Sequence, residues 1–366
     1  MKVKEVINYL EQLAPKAYQE NYDNAGLITG SMDMELKGTM VCLDSTEEVI
    51  DEAIEKGANL VIAHHPIVFS GIKQLNGKNY VERTVIKAIK NDIAIYAIHT
   101  NLDNVRGGVN EEIADRIGLK KEKRKILMPK KGRLMKLEVY VPHDHVANLL
   151  SAMWDKGAGQ IGLYDECSYR LEGRGTYRPL IGSDPYSGVV GERSEEQETK
   201  LELIFSDVYS SSVLEAMHNA HPYESVAYQL IRLENSHPEI GSGLVGELPA
   251  KMDALRFLET VKDVMGAGAL KHTEIHKRSV EKIAVLGGSG VFGLGAAKAE
   301  GADVLITGDV KYHEFFDAEN DIILVDIGHY ESEAFTQQLL QGILAEKFPK
   351  FAHLLTGVNT NPVKYL

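Results

Sequence analysis

Residues Gly57–Pro66 read GANLVIAHHP, and residues Gly301–Val310 read GADVLITGDV. Each stretch has a Gly-Ala turn, then an apolar run typical of a buried strand, and then polar residues where the run ends. A second pair of similar stretches, NDIAIYAIHTNLD from Asn91 and NDIILVDIGHYESE from Asn320, follows the first pair in the same order. The chain therefore contains an internal repeat of two strands.

The repeated strands belong to a longer strand–helix–strand order. Another apolar strand precedes each first stretch, in GTMVCLDST from Gly38 and in EKIAVLGGSG from Glu281, and helical patterns fill the gaps. Near-continuous apolar runs alternating with helices are typical of parallel strands that helices cover on both faces. A chain of 366 residues also exceeds what one core usually serves. We predict an α/β fold of two related lobes with mostly parallel strands and flanking helices, residues 1–128 and 237–366.

Residues 129–236 fit neither lobe. From RLMKLEVYVP at Arg133 to SVAYQLIRLEN at Ser225 the patterns read strand, helix, strand, strand, helix, strand, the split β-α-β plan of ferredoxin-like domains. Turn formers and charges mark both edges, in MPKKGR and NSHPEIGSG, as at the boundaries of inserted domains. We expect a ferredoxin-like α+β domain to be inserted between the lobes.

Bulk composition excludes several classes of protein. The net charge of −13 argues against general affinity for nucleic acid or an anionic membrane. The basic run Lys120–Arg133 is interpreted as a solvated linker. Two distant cysteines, Cys42 and Cys167, exclude a disulfide framework and a thiolate zinc cluster within one chain. Without a signal-peptide pattern or a membrane-spanning stretch, we expect a cytoplasmic protein.

Ligands of open α/β sheets bind beyond the carboxyl ends of the strands, so the residues that follow the repeated strands are the candidates for a site. They are His64, His65, His99, Thr100, Asn101 and Asp103 in the first lobe, and Asp309, His313, Glu314, His329, Glu331 and Glu333 in the second. Imidazoles and carboxylates without thiolates suit Zn²⁺, Fe²⁺ or Mn²⁺. On spacing alone a structural role is an equal alternative, since a lone histidine at a strand end is often only hydrogen-bonded within the fold.

The adjacent histidines pose a geometric problem, because neighbouring side chains of a strand point to opposite faces. His64 and His65 can serve one site only where the strand ends. Pro66 favours such an end, since it restricts the backbone of His65 and donates no hydrogen bond itself.

A glycine motif suggests a different ligand. Gly288, Gly290 and Gly293 have the G-x-G-x-x-G spacing of a dinucleotide fingerprint and follow a strand. The acidic position expected at the end of the next strand is Asp309, which the candidate metal site already includes, and the chain order is wrong for an N-terminal nucleotide domain. We predict no dinucleotide cofactor, and a tight turn that serves the cleft.

Four motifs in this order, AHHP, HTNLDN, GDVKYHE and GHYESE, together with YDNAGLITG at Tyr22–Gly30, resemble the NGG-one-interacting-factor-like family. Its bacterial members are often described as homologues of GTP cyclohydrolase I type 2. The resemblance covers both lobes, and it implies a dinuclear metal centre in a toroidal homohexamer. The middle segment resembles the CutA/P-II-like insertion of longer family members.

The resemblance also implies a ligand set and a cofactor. Carried over by position, the metal ligands are His64, His65, Asp103, His329 and Glu333. We expect His65 and Asp103 on one ion, His64 and His329 on the other, and Glu333 near both. Two divalent ions per subunit are expected, Zn²⁺ first, with Fe²⁺ or Mn²⁺ as alternatives.

Three functions are compatible with such a site. The first is a metal-dependent hydrolase acting on a nucleotide such as GTP, with His313 as the proton donor and with His99 and Asp309 orienting ligands. The second is a binuclear phosphoesterase, for which Lys311 and Arg106 could contact phosphate. The third is a non-catalytic protein that delivers metal or regulates.

Overall fold

A computed structural model describes all 366 residues of the chain. The chain forms two compact units, one of residues 1–128 with 239–366 and one of residues 129–238. The first unit combines two sheets with flanking helices. The predicted α/β class is therefore confirmed.

The elements are numbered here in chain order. The strands are β1 (Gly26–Thr29), β2 (Thr39–Cys42), β3 (Leu60–Ala63), β4 (Ala94–Ala97), β5 (Lys125–Lys131), β6 (Leu134–Pro142), β7 (Tyr169–Tyr177), β8 (Ser194–Ser206), β9 (Tyr228–Leu233), β10 (Ser236–Asp253), β11 (Lys271–His272), β12 (Ser279–Ser289), β13 (Val304–Gly308), β14 (Ile323–Asp326) and β15 (His353–Leu355). The helices are α1 (Val3–Leu13), α2 (Glu47–Glu55), α3 (Tyr80–Lys90), α4 (Thr100–Asp103), α5 (Val109–Arg116), α6 (Val146–Trp154), α7 (Ser210–Ala220), α8 (Ala254–Val264), α9 (Leu294–Ala299), α10 (His329–Glu333) and α11 (Thr336–Lys347). No helix combines the length and the apolar character that crossing a bilayer requires.

The first sheet of the first unit has the strand order β1-β4-β3-β2-β15. Strands β4, β3, β2 and β15 are parallel, and β1 pairs antiparallel with β4 at the edge. Every residue of β2, β3 and β4 is buried, because helices cover both faces of the sheet. This burial explains why the sequence shows continuous apolar runs there instead of alternation.

The second sheet has the order β11-β14-β13-β12-β10-β5. Its middle strands β14, β13 and β12 are parallel, whereas β10 and β11 pair antiparallel with β12 and β14. The order β14-β13-β12 matches β4-β3-β2 of the first sheet, as expected for a repeat.

The Gly-Ala turns of the repeat end two helices. Gly57 follows α2 with φ +71°, and Gly301 follows α9 with φ +69°. In each case the next alanine, Ala58 or Ala302, donates its N–H to a carbonyl of the last helical turn, at 2.9 and 3.0 Å. Glycine adopts this left-handed conformation without strain, which lets the chain leave each helix and enter β3 or β13.

The two repeats share one core instead of forming separate lobes. Val41 and Tyr96 of the first sheet belong to the same buried cluster as Val285 and Ile306 of the second, together with Leu340 of α11. The halves also exchange strands, since the C-terminal β15 lies in the first sheet and β5 lies in the second. The sequence did not predict this exchange.

The second unit has the element order β6-α6-β7-β8-α7-β9, and its antiparallel sheet has the order β7-β8-β6-β9. Its own buried cluster joins Leu137 and Phe205 of the sheet to Leu149 and Val213 of the helices. This element order has the split β-α-β pattern. A CutA or P-II type for the unit stays a prediction.

Candidate metal centre

All five predicted ligands lie close together at the carboxyl ends of parallel strands. The ligand atoms of His65, His329 and Glu333 lie within 4.8 Å of one another, and so do those of His64, Asp103 and Glu333. Glu333 belongs to both groups, as expected. The histidines are grouped differently from the expected division, since His65 lies with His329 and His64 with Asp103.

His64 is completely buried, and its two ring nitrogens have different surroundings. Nδ1 donates to the carbonyl oxygen of Ile98 at 2.9 Å, since a carbonyl can only accept. Nε2 has no hydrogen-bond partner and lies 3.7 Å from Asp103 Oδ1 and 3.7 Å from Glu333 Oε1. Burial lowers the pKa of His64 below its ordinary value, so the ring is neutral. Its free lone pair points between two carboxylates, as in a metal-binding imidazole.

His65 is held at both ring nitrogens. Nδ1 lies 2.7 Å from Asp44 Oδ1, and Nε2 lies 2.9 Å from Glu333 Oε2. The hydroxyl of Thr360 donates to the other oxygen of Asp44 at 2.7 Å. Burial lowers the pKa of His65, but the two carboxylates outweigh burial and raise it to about 10. A carboxylate on Nδ1 orients the ring and directs Nε2 toward the cluster, as partners of metal-binding histidines do.

His329 repeats this arrangement from the other half of the chain. Nδ1 lies 2.7 Å from Asp309 Oδ2, whereas Nε2 lies 3.2 Å from Glu333 Oε2 and 3.4 Å from His65 Nε2. His329 and Glu333 are four residues apart on α10 and therefore share one face. Burial lowers the pKa of His329, but Glu333 and Asp309 raise it to about 9.

The two central carboxylates have opposite pKa shifts. Burial, and then the charge of Glu333, raise the pKa of Asp103 well above its ordinary value. Burial also acts to raise the pKa of Glu333, but the imidazoles of His329, His64 and His65 hold it well below its usual range. Asp103 Oδ1 is buried without any hydrogen-bond donor. A buried acceptor without a donor is costly, and a cation at this position would remove that cost.

His99 is a sixth polar residue at the cluster. Its ring centre lies 5.4 Å from those of His64 and His65, and its Nδ1 lies 2.7 Å from Asp23 Oδ1. Asp23 also accepts from the N–H of Thr100 at 3.0 Å. Burial raises the pKa of Asp23, but the bonds from His99 and Thr100 outweigh it and lower the pKa to about 2. The N-terminal motif YDNAGLITG thus contributes the carboxylate that orients His99.

The glycine motif lies against the cluster. Gly288 has φ +63°, and a Cβ there would lie 2.5 Å from Glu333 Oε1. Its N–H donates to Ser332 Oγ at 2.9 Å. Glycine is therefore required at this position of β12 both for the left-handed backbone and for the space that Glu333 occupies.

A cavity of about 950 Å³ opens at the cluster. It is lined by His65, His99, Asp103, His329 and Glu333 and by the aromatic residues Tyr22, Phe69, Tyr80 and Phe292. Lys73 is the only lysine or arginine in this lining. The size of the cavity suits a small molecule.

Some residues singled out in the sequence lie elsewhere. His313 is exposed on a short 3₁₀ helix, contacts the rings of Tyr312 and Phe316, and does not line the cavity. Lys311 is also outside the lining, with 84% of its side chain exposed. Arg106 is paired with two glutamates, at 2.5 and 2.9 Å. Asp309 does contact a predicted ligand, through Nδ1 of His329.

Sequence reasoning missed two carboxylates of the site, Asp44 and Asp23. Asp44 follows β2 in VCLDST. Ligands bind beyond the carboxyl ends of the strands, so including the residues after β2 among the candidates would have identified Asp44. Asp23 lies within the quoted N-terminal motif, but no spacing rule connects it to His99, which is 76 residues away.

Comparison with known proteins gives whole-chain matches. The model of the family described as Duf34/NIF3 (NGG1p interacting factor 3) matches residues 1–362. A Bacillus subtilis protein named GTP cyclohydrolase 1 type 2 homolog is 38% identical, over 99% of this chain and 98% of that protein. The crystal structure of a Bacillus cereus protein related to NIF3 has 35% identity and a TM-score of 0.87, covering 100% of this chain and 99% of that chain. Staphylococcus aureus protein SA1388 matches over the same shares with 28% identity and a TM-score of 0.78.

Proposed function

The chain belongs to the DUF34/NIF3 family, and on that premise we propose that it binds two divalent metal ions and is a metal-dependent hydrolase acting on a nucleotide. The proposed ligands are His64, His65, Asp103, His329 and Glu333, and Zn²⁺ is the expected metal, with Fe²⁺ or Mn²⁺ as alternatives. The relatives are named GTP cyclohydrolase 1 type 2 homologs, and we take the substrate class from that name.

One observation carries the metal proposal. His64 Nε2 and Asp103 Oδ1 are both buried, both lack a hydrogen-bond partner, and lie 3.7 Å apart. A neutral imidazole lone pair and a carboxylate oxygen cannot bond to each other without a proton between them. A cation that accepts both lone pairs satisfies both atoms, so the residues present fit a metal ion.

The position of Glu333 supports two ions instead of one. Its Oε1 faces His64 at 3.7 Å, whereas its Oε2 faces His65 at 2.9 Å and His329 at 3.2 Å. Each oxygen therefore belongs to a different group of candidate ligands, the arrangement of a bridging carboxylate. Five ligands also exceed the three protein ligands of a typical single catalytic zinc.

When bound, divalent ions would supply Lewis acidity and lower the pKa of a water molecule toward neutrality. The chain's own residues would orient the reactants. Asp44 and Asp309 hold the rings of His65 and His329 through Nδ1. His99 lines the cavity while Asp23 holds its Nδ1. His99 is therefore better placed than the exposed His313 to exchange a proton with a substrate.

The metal proposal is tested by elemental mass spectrometry on untagged protein. We expect about two ions per chain in the wild type and a sharp loss in Glu333→Ala. His313→Ala is the control, since His313 is an exposed histidine outside the cluster. Equal metal content in the two variants would contradict the assigned ligands.

The catalytic proposal needs a separate assay, in which the metal-loaded protein is incubated with GTP and guanine ring opening is followed by absorbance. We expect turnover that a chelator abolishes and that the same metal restores. Cleavage of a nitrophenyl phosphate with GTP left intact would favour the binuclear phosphoesterase instead. Stoichiometric metal without turnover of either compound would favour metal delivery or regulation.

Self-association is a further part of the proposal. The family resemblance suggests a toroidal homohexamer, and light scattering should then give six times the 40.5 kDa mass of one chain. A mass of one chain at micromolar concentration would contradict it.

A further inference from the structure

The second unit contains a cavity of its own, of about 670 Å³. Four tyrosines line it, Tyr140, Tyr177, Tyr186 and Tyr223. Tyr140 lies on the side of β6 that the helices leave uncovered, since Leu137, Val139 and Val141 on the other side are fully buried against α6 and α7. The proposed metal-dependent activity makes no use of this cavity.

The tyrosine rings are held in place by their neighbours. The rings of Tyr186 and Tyr223 lie 5.6 Å apart at 48°, and His145 packs edge-on against Tyr186 at 5.5 Å. The hydroxyl of Tyr223 donates to Glu198 Oε1 at 2.9 Å. The hydroxyl of Tyr177 lies 2.9 Å from the carbonyl oxygen of Ser187 and donates to it. Aromatic faces are thus fixed around the cavity and beside a carboxylate.

Two of the three cations of the lining, Lys200 and Arg174, are paired with residues outside the cavity. Lys200 pairs with Glu138 at 2.8 Å and with Glu202 at 2.7 Å, and Arg174 pairs with Glu195 at 3.6 Å. None of these three glutamates lines the cavity. Lys200 and Arg174 therefore contribute little net charge to the cavity.

The carboxylates of the lining have no such compensation. They are Glu172, Glu198 and Glu224, and none of them pairs with a cation. Glu198 accepts one hydrogen bond at Oε1, and its Oε2 has no donor and lies against Gly175, where a Cβ would collide with it. Arg178 is the one cation of the lining without a partner. Three unpaired carboxylates against one unpaired arginine make the cavity negative.

From this combination we propose that the cavity binds a small organic ammonium ion, with its charge among the tyrosine rings and next to Glu198. Aromatic faces attract cations through their quadrupole, and a nearby carboxylate adds a Coulombic term. An inorganic ion would not fill a cavity of this size, whereas an ammonium group with an organic substituent would use both the charge and the apolar walls.

Calorimetric titration of the full-length protein with choline and with n-butylammonium tests the proposal. The matched neutral probe is 3,3-dimethyl-1-butanol, which has the shape of choline without its charge. We expect at least one of the two cations to bind at least about 10-fold more tightly than the neutral probe. No binding of either cation up to about 10 mM, or equal binding of choline and the neutral alcohol, would overturn the proposal.

Two variants locate the site. Glu198→Gln keeps an acceptor for Tyr223 but removes the charge, so ammonium binding should weaken at least about 10-fold. Glu215→Gln removes an exposed carboxylate of α7 that does not line the cavity, and it should change affinity by less than about 2-fold. Tyr186→Leu, which keeps an apolar wall without a ring, should also weaken binding. Equal losses in Glu198→Gln and Glu215→Gln would show that only general charge matters and would reject the site.

Discussion

His64 and His65 are neighbours in sequence, yet their rings are held by different partners. A backbone carbonyl fixes His64, which is neutral, whereas carboxylates hold His65 and His329 and raise their pKa to about 10 and about 9. A metal ion bound by the proposed ligands would therefore compete with protons at His65 and His329 more than at His64. The carboxylates that hold these protons are the same groups that orient the rings for a metal.

Asp44 gives a test of this orienting role. Asp44→Asn keeps the size of the side chain but removes the charge that fixes His65 through Nδ1. We expect affinity for Zn²⁺ to fall about 10- to 100-fold, as when comparable partners of metal-binding histidines are replaced. Chelator competition at neutral pH measures the change. The matched control is Asp51→Asn, an exposed aspartate that pairs with Lys87; an equal loss of affinity there would refute the assignment.

The sequence predicts which polar residues lie at the strand ends, but it does not predict which residues they contact. The apolar run before AHHP and the Pro after it predict that both histidines lie at one site, and their ring centres are 5.0 Å apart. The contact between His65 and Glu333 joins residues 268 positions apart in the sequence, and no periodic pattern predicts a contact at such a separation. The motifs did predict the family, which is confirmed. The ligand roles themselves stay a prediction.

At the scale of elements, the backbone at Gly288, near the end of β12, should decide whether Glu333 can reach the cluster. Gly288→Ala places a Cβ 2.5 Å from Glu333 Oε1 in a backbone with φ +63°, so bound metal should fall while the fold persists. Gly301→Ala is a matched control, because φ is +69° and nothing lies within 4 Å of its Cβ position. Both variants should lose about 1–2 kcal/mol of stability from the left-handed backbone. Elemental analysis and thermal unfolding separate the effects, and loss of metal in both would contradict the proposed contact.

The junction of β12 and β13 should give the protein an acid-sensitive component of stability. Asp303 accepts from the N–H groups of Glu281 and Lys282 at 2.9 and 3.1 Å and from Lys277 Nζ at 2.8 Å. Burial raises the pKa of Asp303, but these bonds outweigh it and hold the pKa below the ordinary 3.8. A depressed pKa contributes stability that is present above about pH 4 and is lost as the pH falls through the folded value.

Asp303→Asn should therefore lower the free energy of unfolding by about 1–2 kcal/mol at pH 7. The difference from the wild type should shrink as the pH falls, because protonation removes the same interactions from the wild-type protein. Urea denaturation between pH 7 and about pH 3 measures both effects. Asp321→Asn, which removes an exposed partner of Lys298, should have little effect at either pH. A difference that does not change with pH would count against this account.

Strand identity could be predicted from local pattern, whereas strand exchange could not. Every residue of β3, β4, β13 and β14 is buried, because both faces of each strand are covered, and most of these residues are apolar. The C-terminal β15 has only three residues and lies in the sheet of the first half. The pattern of three residues cannot predict which sheet a strand joins, because the choice of sheet depends on how the shared core packs.

At the scale of the whole molecule, the two units have separate cores, and the two proposed binding sites lie in different units. All five proposed ligands and the core joining the two repeats belong to the first unit, whereas Leu137, Leu149 and Phe205 belong to the separate cluster of the second. The first unit consists of residues 1–128 and 239–366. The proposed metal binding and the proposed ammonium binding should therefore be separable, so that one persists when the other is lost.

A deletion tests that independence. Strands β5 and β10 are neighbours in the second sheet, so the chain leaves the first unit and returns to it between adjacent strands. Replacing residues 132–235 by a short glycine–serine linker should leave a folded protein, because no strand of either sheet of the first unit is cut. We expect its metal content per chain to equal that of the full protein and its binding of ammonium probes to be absent. Circular dichroism, elemental analysis and calorimetry measure the three properties, and a folded variant without metal would show that the metal centre depends on the second unit.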